Sequence, residues 1–148
     1  MIAIGSDHGG YKLKEEIKRY WEEKSIEFKD LGTNSEESVH YPDIAKKVAQ
    51  AVQSKECENG ILICRSGYGM AIVANKFKGI RSVPAYNEEA VKFSRMHNDT
   101  NLLTLPADYV SVEGAIKMVE LWTSTEFEGG RHQTRVDMIS QIENENMK

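Results

Sequence analysis

The segment Gly60-Ile61-Leu62-Ile63-Cys64 constrains the fold more than any other part of the sequence. Its apolar residues follow one another without polar alternation, which is typical of a strand that is buried on both faces of a parallel sheet. The loop residues Ser66-Gly67-Tyr68-Gly69 end this run, and apolar residues at helical spacing follow from Met70 to Ala74. The segment therefore predicts a strand–turn–helix unit at the centre of an α/β domain.

The rest of the chain repeats this alternation of strands and helices. Short apolar runs predict four further strands, at 2–5, 26–31, 81–86 and 102–105. Apolar residues at helical spacing predict helices at 11–23, after Pro42, at 88–96, around 112–119 and from Arg131 onward. We therefore expect a single doubly wound, Rossmann-like α/β domain over residues 1–148, with a five-stranded parallel sheet flanked by helices and a C-terminal helix.

Charge and composition narrow the class of protein. The 23 acidic residues outnumber the 19 basic ones, and a net charge of −4 gives no support to nucleic acid as the main partner. The sequence holds no apolar run of about 18 residues, the length of a membrane span, and its N-terminus lacks the charged and apolar regions of a signal peptide. We expect a cytoplasmic protein without a membrane partner, in which Cys57 and Cys64 stay reduced and no zinc site forms.

The ligand of a doubly wound sheet binds beyond the carboxyl ends of the strands. Three predicted loops lie there, at 6–10, 64–69 and 86–87. In the second loop, glycines allow a ligand to approach the backbone, and the free amides of the following helix favour an anion and a thiolate at Cys64. Cys64 is equally explained as a buried strand cysteine ahead of an ordinary glycine turn, and position alone does not decide between the two.

Two other groups of polar residues have a chemical and a structural interpretation. Asp7 can orient a hydroxyl group and His8 can bind an anion, but Asp7 or Ser6 can also simply cap the helix that follows. Arg131 and Arg135 share one face of the last helix and can grip a phosphate or carboxylate together. The structural alternative for these arginines is a solvated basic turn.

His97 poses a topological problem. It falls between the fourth helix and the fifth strand, at the amino edge of the sheet, whereas Cys64 lies at the carboxyl edge. If both act in one reaction, His97 has to reach the site of a neighbouring subunit, so a two-fold dimer is the smallest assembly that we expect. A histidine near a helix C-terminus is also favoured by the helix dipole without any chemical role.

Seven segments together resemble the type B ribose-5-phosphate isomerases and the related galactose-6-phosphate isomerase subunits. They follow one another in the family order: Gly5-Ser6-Asp7-His8-Gly9-Gly10, Val39-His40-Tyr41-Pro42-Asp43, Gly60-Ile61-Leu62-Ile63-Cys64, Ala74-Asn75-Lys76, Gly79-Ile80-Arg81, His97-Asn98 and Gly129-Gly130-Arg131-His132. The resemblance implies an aldose–ketose isomerisation of a phosphorylated sugar through a cis-enediol, without metal or organic cofactor. It also implies dimers that pair further into tetramers.

The resemblance assigns proton transfer and ring opening to four residues. Cys64 is the base that moves a proton between C1 and C2 of the sugar. Another branch of the family has a glutamate at the position of Met70, so this chain belongs with the cysteine branch. Ser66 shuttles or steadies the hydroxyl protons, and His97 opens the sugar ring together with Asp7.

The resemblance also assigns the groups that bind the substrate and its developing charge. Prealigned donors that meet an oxyanion contribute roughly 3–4 kcal/mol each to catalysis. By resemblance, these donors are Asn98 and the amides around Gly67 and Gly69. The residues that hold the phosphate and line the sugar site are His8, Arg131, Arg135 and Tyr41.

Two positions depart from the family pattern. Arg65 stands where the family usually has glycine, and Asp108 stands where an arginine that assists substrate binding is common. Our hypothesis is that Arg65 replaces the lost positive charge, or that it pairs with Asp108 directly or through the neighbouring subunit. The alternative is that both side chains point into solvent and have no role.

The leading functional hypothesis is the interconversion of ribose 5-phosphate and ribulose 5-phosphate. A close alternative is the isomerisation of a hexose 6-phosphate such as that of galactose or allose, which requires a longer pocket. A protein that binds sugar phosphates without catalysis is a third possibility, in which Arg65 has abolished the activity of its loop. A redox sensor built on Cys64 is less favoured, since no resolving cysteine is identifiable.

Overall fold

The centre of the molecule is a parallel sheet. The computed structural model describes residues 1–147, and its strands are β1 (Ile2–Ser6), β2 (Phe28–Asp30), β3 (Asn59–Cys64), β4 (Ser82–Pro84) and β5 (Leu102–Pro106). All neighbouring strands pair in parallel, in the order β2-β1-β3-β5-β4. The apolar strand β3 occupies the middle, and its residues from Gly60 to Cys64 are buried. The predicted five-stranded parallel sheet is therefore confirmed.

Helices cover both faces of this sheet. They are α1 (Tyr11–Glu23), α2 (Tyr41–Gln53), α3 (Tyr68–Ala74), α4 (Glu88–Asn98), α5 (Val112–Ser124) and α6 (Arg131–Asn146), with one 3₁₀ turn at His8–Gly10. One apolar core lies between the sheet and the pair α2 and α3, and the other lies between the sheet and α1, α4 and α5. Within residues 1–147, no helix combines the length and apolarity that a bilayer crossing requires.

Several predicted boundaries differ from the observed ones. The predicted strands 26–31 and 81–86 shrink to the three-residue strands β2 and β4. Both are edge strands, which pair on one side only, so fewer of their residues enter the ladder. Helix α4 runs two residues beyond the predicted end, because Asn98 and its neighbour His97 still belong to its last turn.

A buried ion pair fastens the edge strand β2 to α1. The Lys14 side chain is fully buried, and its Nζ donates to both carboxylate oxygens of Asp30 at 2.7 Å. Burial by itself would raise the pKa of Asp30, but hydrogen bonds from Lys14, Lys18 and the Gly32 amide outweigh it and lower that pKa. This pair therefore holds the outer end of the sheet.

Candidate active site

The carboxyl edge of the sheet brings the first two predicted loops together. Strands β1 and β3 pair in register up to Ser6 and Ile63, and the next amide, that of Asp7, donates to the Ile63 carbonyl at 3.1 Å. Asp7 and Cys64 therefore leave the sheet side by side. This is where ligands of parallel sheets bind.

The turn after β3 folds back onto the sulfur of Cys64. The Gly67 amide donates to Cys64 Sγ at 3.1 Å, and Gly67 has φ +80°, a left-handed conformation that disfavours any residue with a side chain. A Cβ at this position would also lie 3.1 Å from Thr104 Oγ1. Cys64 is only 6% exposed, so it is a buried cysteine at the end of β3. Its sulfur also contacts the loop that follows the strand.

The first turn of α3 receives the ring of Tyr41. A Cβ at Gly69 would lie 2.6 Å from Tyr41 Cε1 and 3.0 Å from its hydroxyl oxygen, so only glycine permits this contact. Ser66 Oγ accepts from the Tyr68 amide at 3.3 Å, which orients the hydroxyl beside the same turn. The structure thus brings Ser66, Gly67, Gly69 and Tyr41 to one end of α3.

Asp7 and His8 are held by local hydrogen bonds. Asp7 is mostly buried, and its Oδ1 accepts from the Gly10 amide at 3.1 Å, which is the capping role that the sequence allowed. The Nδ1 atom of His8 accepts from the Val39 amide at 3.2 Å. We therefore assign the proton of a neutral His8 to Nε2, where it is a donor for an anion.

Arg65 and Asp108 form a direct pair across the loops after β3 and β5. Arg65 Nη1 lies 3.6 Å from Asp108 Oδ2, and the Asp108 amide donates to the Arg65 carbonyl at 3.0 Å. The Arg65 stem also covers the backbone of Gly9, where a Cβ would lie 2.7 Å from Arg65 Cγ. Arg65 therefore links all three elements that surround Cys64, although its side chain is 66% exposed.

A cavity of about 380 Å³ opens next to this group of residues. Ser66 lines one side of it, and three tyrosines, Tyr68, Tyr86 and Tyr109, line the rest together with apolar residues. A hydrogen bond with Tyr68 raises the pKa of the Tyr86 phenol above its ordinary value. Cys64 and Asp7 do not line this cavity, so it adjoins the predicted site and does not coincide with it.

The remaining predicted site residues lie at the other end of the sheet. His97 and Asn98 form the last turn of α4, and Arg131 and Arg135 are exposed on the first turns of α6. Helix α4 leaves the carboxyl edge after β4 and descends 11 residues, or about 16 Å, to the amino edge. One chain therefore does not bring these four residues to Cys64, as the topology predicted for His97 and Asn98.

His132 is a residue of this second group that the sequence analysis did not select. Its ring stacks on that of His97, with centroids 4.3 Å apart and planes 13° from parallel. Burial and the nearby charges of His97 and Arg131 lower the pKa of His132, and Glu128 opposes this effect. The signal in the sequence was the helical spacing of His132 and Val136, which are four residues apart. The structure shows that both are buried.

His97, Glu128 and His132 are also close enough to be considered as metal ligands. Their potential ligand atoms lie within 4.8 Å of one another. However, a histidine binds a metal in the plane of its ring, and two nearly parallel stacked rings do not direct their nitrogens at one point. The observed arrangement fits a stack better than a metal site.

Known proteins of similar sequence share this architecture. The model of the ribose/galactose isomerase family matches residues 2–139. Ribose-5-phosphate isomerase B of Escherichia coli (strain K12) is 46% identical over 142 residues, which is 96% of this chain and 95% of that protein. The chain belongs to the ribose/galactose isomerase family.

Solved structures of this family superpose on nearly the whole chain. The ribose-5-phosphate isomerase B of Clostridium thermocellum matches with a TM-score of 0.95 and 48% identity, covering 97% of each chain. The enzyme of Mycoplasma genitalium, solved with bound ribulose 5-phosphate, matches with a TM-score of 0.93 and 37% identity over 98% of this chain and 97% of that one. The predicted family membership is therefore confirmed.

Several residues in the segments that carry the family resemblance serve the fold. The Asn75 side chain bonds both the amide and the carbonyl of Ser82, at 2.8 and 2.9 Å, and so fixes the start of β4. Arg81 donates to the Asn98 and Asp99 carbonyls at 2.8–3.0 Å. These bonds hold the end of α4, so this isomerase family member uses part of its motif set to position His97.

Proposed function

We propose that the protein is an aldose–ketose isomerase that interconverts ribose 5-phosphate and ribulose 5-phosphate, with Cys64 as the base. One observation carries the proposal: Cys64 Sγ leaves the sheet beside Asp7 and Ser66, at the edge where parallel sheets bind ligands. The similarity to an enzyme solved with bound ribulose 5-phosphate supports the choice of substrate.

The proposed reaction begins with a cyclic aldose. His97 and Asp7 open its ring by moving a proton from the C1 hydroxyl group and supplying one to the ring oxygen. The Cys64 thiolate then takes the proton from C2, and the electron pair of that bond forms the enediol double bond. Return of the proton to C1 completes the ketose, while the proton of the C2 hydroxyl group passes to O1 with the help of Ser66.

The enediol oxygens need donors that are already in place. The Gly69 amide lies in the first turn of α3 and has no helical acceptor, so it is available to the substrate. The Gly67 amide is engaged by Cys64 Sγ, and we therefore give it the role of orienting the sulfur. Asn98 is the proposed side-chain donor, and Tyr41 is the proposed wall of the sugar site.

The phosphate group is assigned to His8, Arg131 and Arg135. His8 offers its Nε2 proton from the carboxyl edge, whereas both arginines are exposed at the other end of the same chain. The proposed site is therefore complete only when α4 and α6 of a second copy meet the Cys64 edge. Exposed apolar side chains such as Ile72 of α3 and Phe93 of α4 support such a homodimer, and pairs of dimers form the proposed tetramer.

The proposed base also bears on the cell compartment and on cofactors. A free cysteine persists in a reducing compartment, which supports the expected cytoplasmic location. Every step above moves protons only, so the proposed mechanism assigns no role to a metal or an organic cofactor.

The test is a coupled isomerase assay on ribose 5-phosphate and, side by side, on galactose 6-phosphate and allose 6-phosphate. We expect turnover of the pentose phosphate to exceed that of both hexose phosphates. Faster turnover of a hexose phosphate would instead indicate that the protein is a hexose 6-phosphate isomerase. Binding of all three sugars without turnover, unchanged in Cys64→Ala, would instead support a non-catalytic binding protein.

A further inference from the structure

The His97 ring contacts two other rings. Phe93, one helical turn earlier, stacks on it with centroids 5.1 Å apart and planes 21° from parallel. His132, from the first turn of α6, stacks at 4.3 Å and 13°. These two rings, one from α4 and one from α6, therefore restrict the rotation of His97 about its side-chain bonds.

His132 itself is not placed to reach a substrate. Its side chain is 9% exposed, whereas His97 is only half-buried. The carboxylate of Glu128 lies 3.7 Å from His132 Nε2, on the side of the connection between α5 and α6. Any effect of His132 on a ligand therefore passes through His97.

The backbone around His132 is fastened to α4. The Glu128 amide donates to the Met96 carbonyl at 3.1 Å, which joins the α5–α6 connection to the residue before His97. Gly129 and Gly130 then turn the chain with φ values of +70° and +57°, a conformation that favours glycine. This turn carries His132 back against the last turn of α4.

We propose that His132 is a positioning residue for ring opening: it holds the His97 imidazole in place and fixes its spacing from Arg131 and Arg135. The inference rests on the proposed function, because it assigns His132 to one step of that reaction. His132 shares a helix with both arginines, so His97 and the arginines move as one unit. A second copy would then deliver the ring-opening group and the phosphate-binding groups together.

The charges around the stack suit this role. The groups that face His132 are His97, Glu128 and the two cationic arginines Arg131 and Arg135. Burial, followed by His97 and Arg131, lowers the pKa of His132, which favours a neutral ring. A neutral ring stacks on His97 without bringing a further positive charge beside it.

The test separates ring opening from proton transfer. Ribose 5-phosphate is mainly cyclic, whereas ribulose 5-phosphate is acyclic because its O5 carries the phosphate. We would measure isomerisation of ribose 5-phosphate, and separately the exchange of the C1 hydrogen of ribulose 5-phosphate in D₂O, which needs no ring opening. The variants are His132→Ala, which removes the stack, and His132→Phe, which keeps a flat ring of similar size.

We expect His132→Ala to lower isomerisation by about 10- to 100-fold, the cost of a misplaced catalytic group, while the exchange rate stays within about twofold of the parent. His132→Phe should recover most of the loss. The matched control is Val136→Ala, which removes another buried side chain of α6 and should leave the ratio of the two rates unchanged. Thermal unfolding of each variant reports any general loss of stability.

Equal losses in both assays, no loss in either, or a His132→Phe as impaired as His132→Ala would each overturn the inference while leaving the proposed function intact. A parent protein that is inactive in both assays would overturn the proposed function and this inference with it.

Discussion

The two ends of the sheet differ in how they present chemistry. At the carboxyl edge, short turns after β1 and β3 hold Asp7, Cys64 and Ser66 through backbone amides, and glycines keep the space open. At the other end, the last turn of α4 and the first turn of α6 present imidazole and guanidinium groups on rigid helices. In the proposed mechanism, the first end supplies the base and the amide donors, and the second supplies the imidazole and guanidinium groups. Because one chain keeps these ends apart, the proposed mechanism requires a second copy.

The first prediction concerns a mixture of two variants, in which each end of the sheet is disabled in a different chain. We expect Cys64→Ala and His97→Ala to lose activity by about 10²–10⁴-fold when each is purified alone. When the two variants are mixed and their subunits reassociate at random, half of the dimers contain one chain of each kind. Each of these dimers has one intact site of its two, so activity should return to about a quarter of the parent value. The coupled isomerase assay on ribose 5-phosphate gives the measurement. A mixture that stays inactive after proven subunit exchange would contradict a shared site.

The second prediction compares the ion pairs that anchor the two ends. Asp30 pairs with a fully buried lysine, whereas Asp99, which pairs with Arg81 and Arg95, is 37% exposed. Asp30→Asn leaves the buried Lys14 charge with only the Glu15 carboxylate, 3.5 Å away, and should lower the free energy of unfolding by about 3–5 kcal/mol. The matched change Asp99→Asn should cost about 1 kcal/mol, since solvent screens that pair. Urea unfolding of both variants tests this, and equal losses would show that the two anchors do not differ.

How well the sequence predicts a feature of this structure depends on whether residues close together in the sequence determine that feature. The apolar run of β3 and the glycines after it predict the central strand and the turn at Cys64 because neighbouring residues determine both. The edge strands β2 and β4 are shorter than predicted, since pairing on one side depends on the rest of the sheet. The stack of His97 on His132 joins residues 35 positions apart on two helices, and nothing local to either residue specifies it.

The third prediction concerns Arg65, which links the turns of the carboxyl edge. If this guanidinium replaces a missing positive charge, Arg65→Gly should raise KM for ribose 5-phosphate about tenfold, as loss of one charged contact does. Its effect on the free energy of unfolding should stay below about 1 kcal/mol, because the pair with Asp108 is exposed. Steady-state kinetics and thermal unfolding together test this. Unchanged KM and turnover would leave Arg65 as a surface residue.

The smallest effect that we predict is a pH dependence of stability at the second end. The pKa of His132 is lowered from 6.5 in the folded protein, so the unfolded chain binds a proton more readily. The contribution of His132 to stability is therefore present above pH 6.5 and is lost as the pH falls through the lowered pKa. Thermal midpoints of the parent should fall over this range more than those of His132→Phe. Parallel curves for the two proteins would contradict the lowered pKa.

The role of Cys64 as the base is tested most directly by following hydrogen transfer during turnover. When the parent converts ribose 5-phosphate in D₂O, we expect mass spectrometry to find solvent deuterium at C1 of the ribulose 5-phosphate formed. Cys64→Ala should incorporate none while still binding the substrate, and Cys57→Ala, which alters the other buried cysteine, should behave as the parent. Deuterium uptake by Cys64→Ala at the parent rate, or turnover of the parent without any uptake, would contradict the assignment of Cys64 as the base.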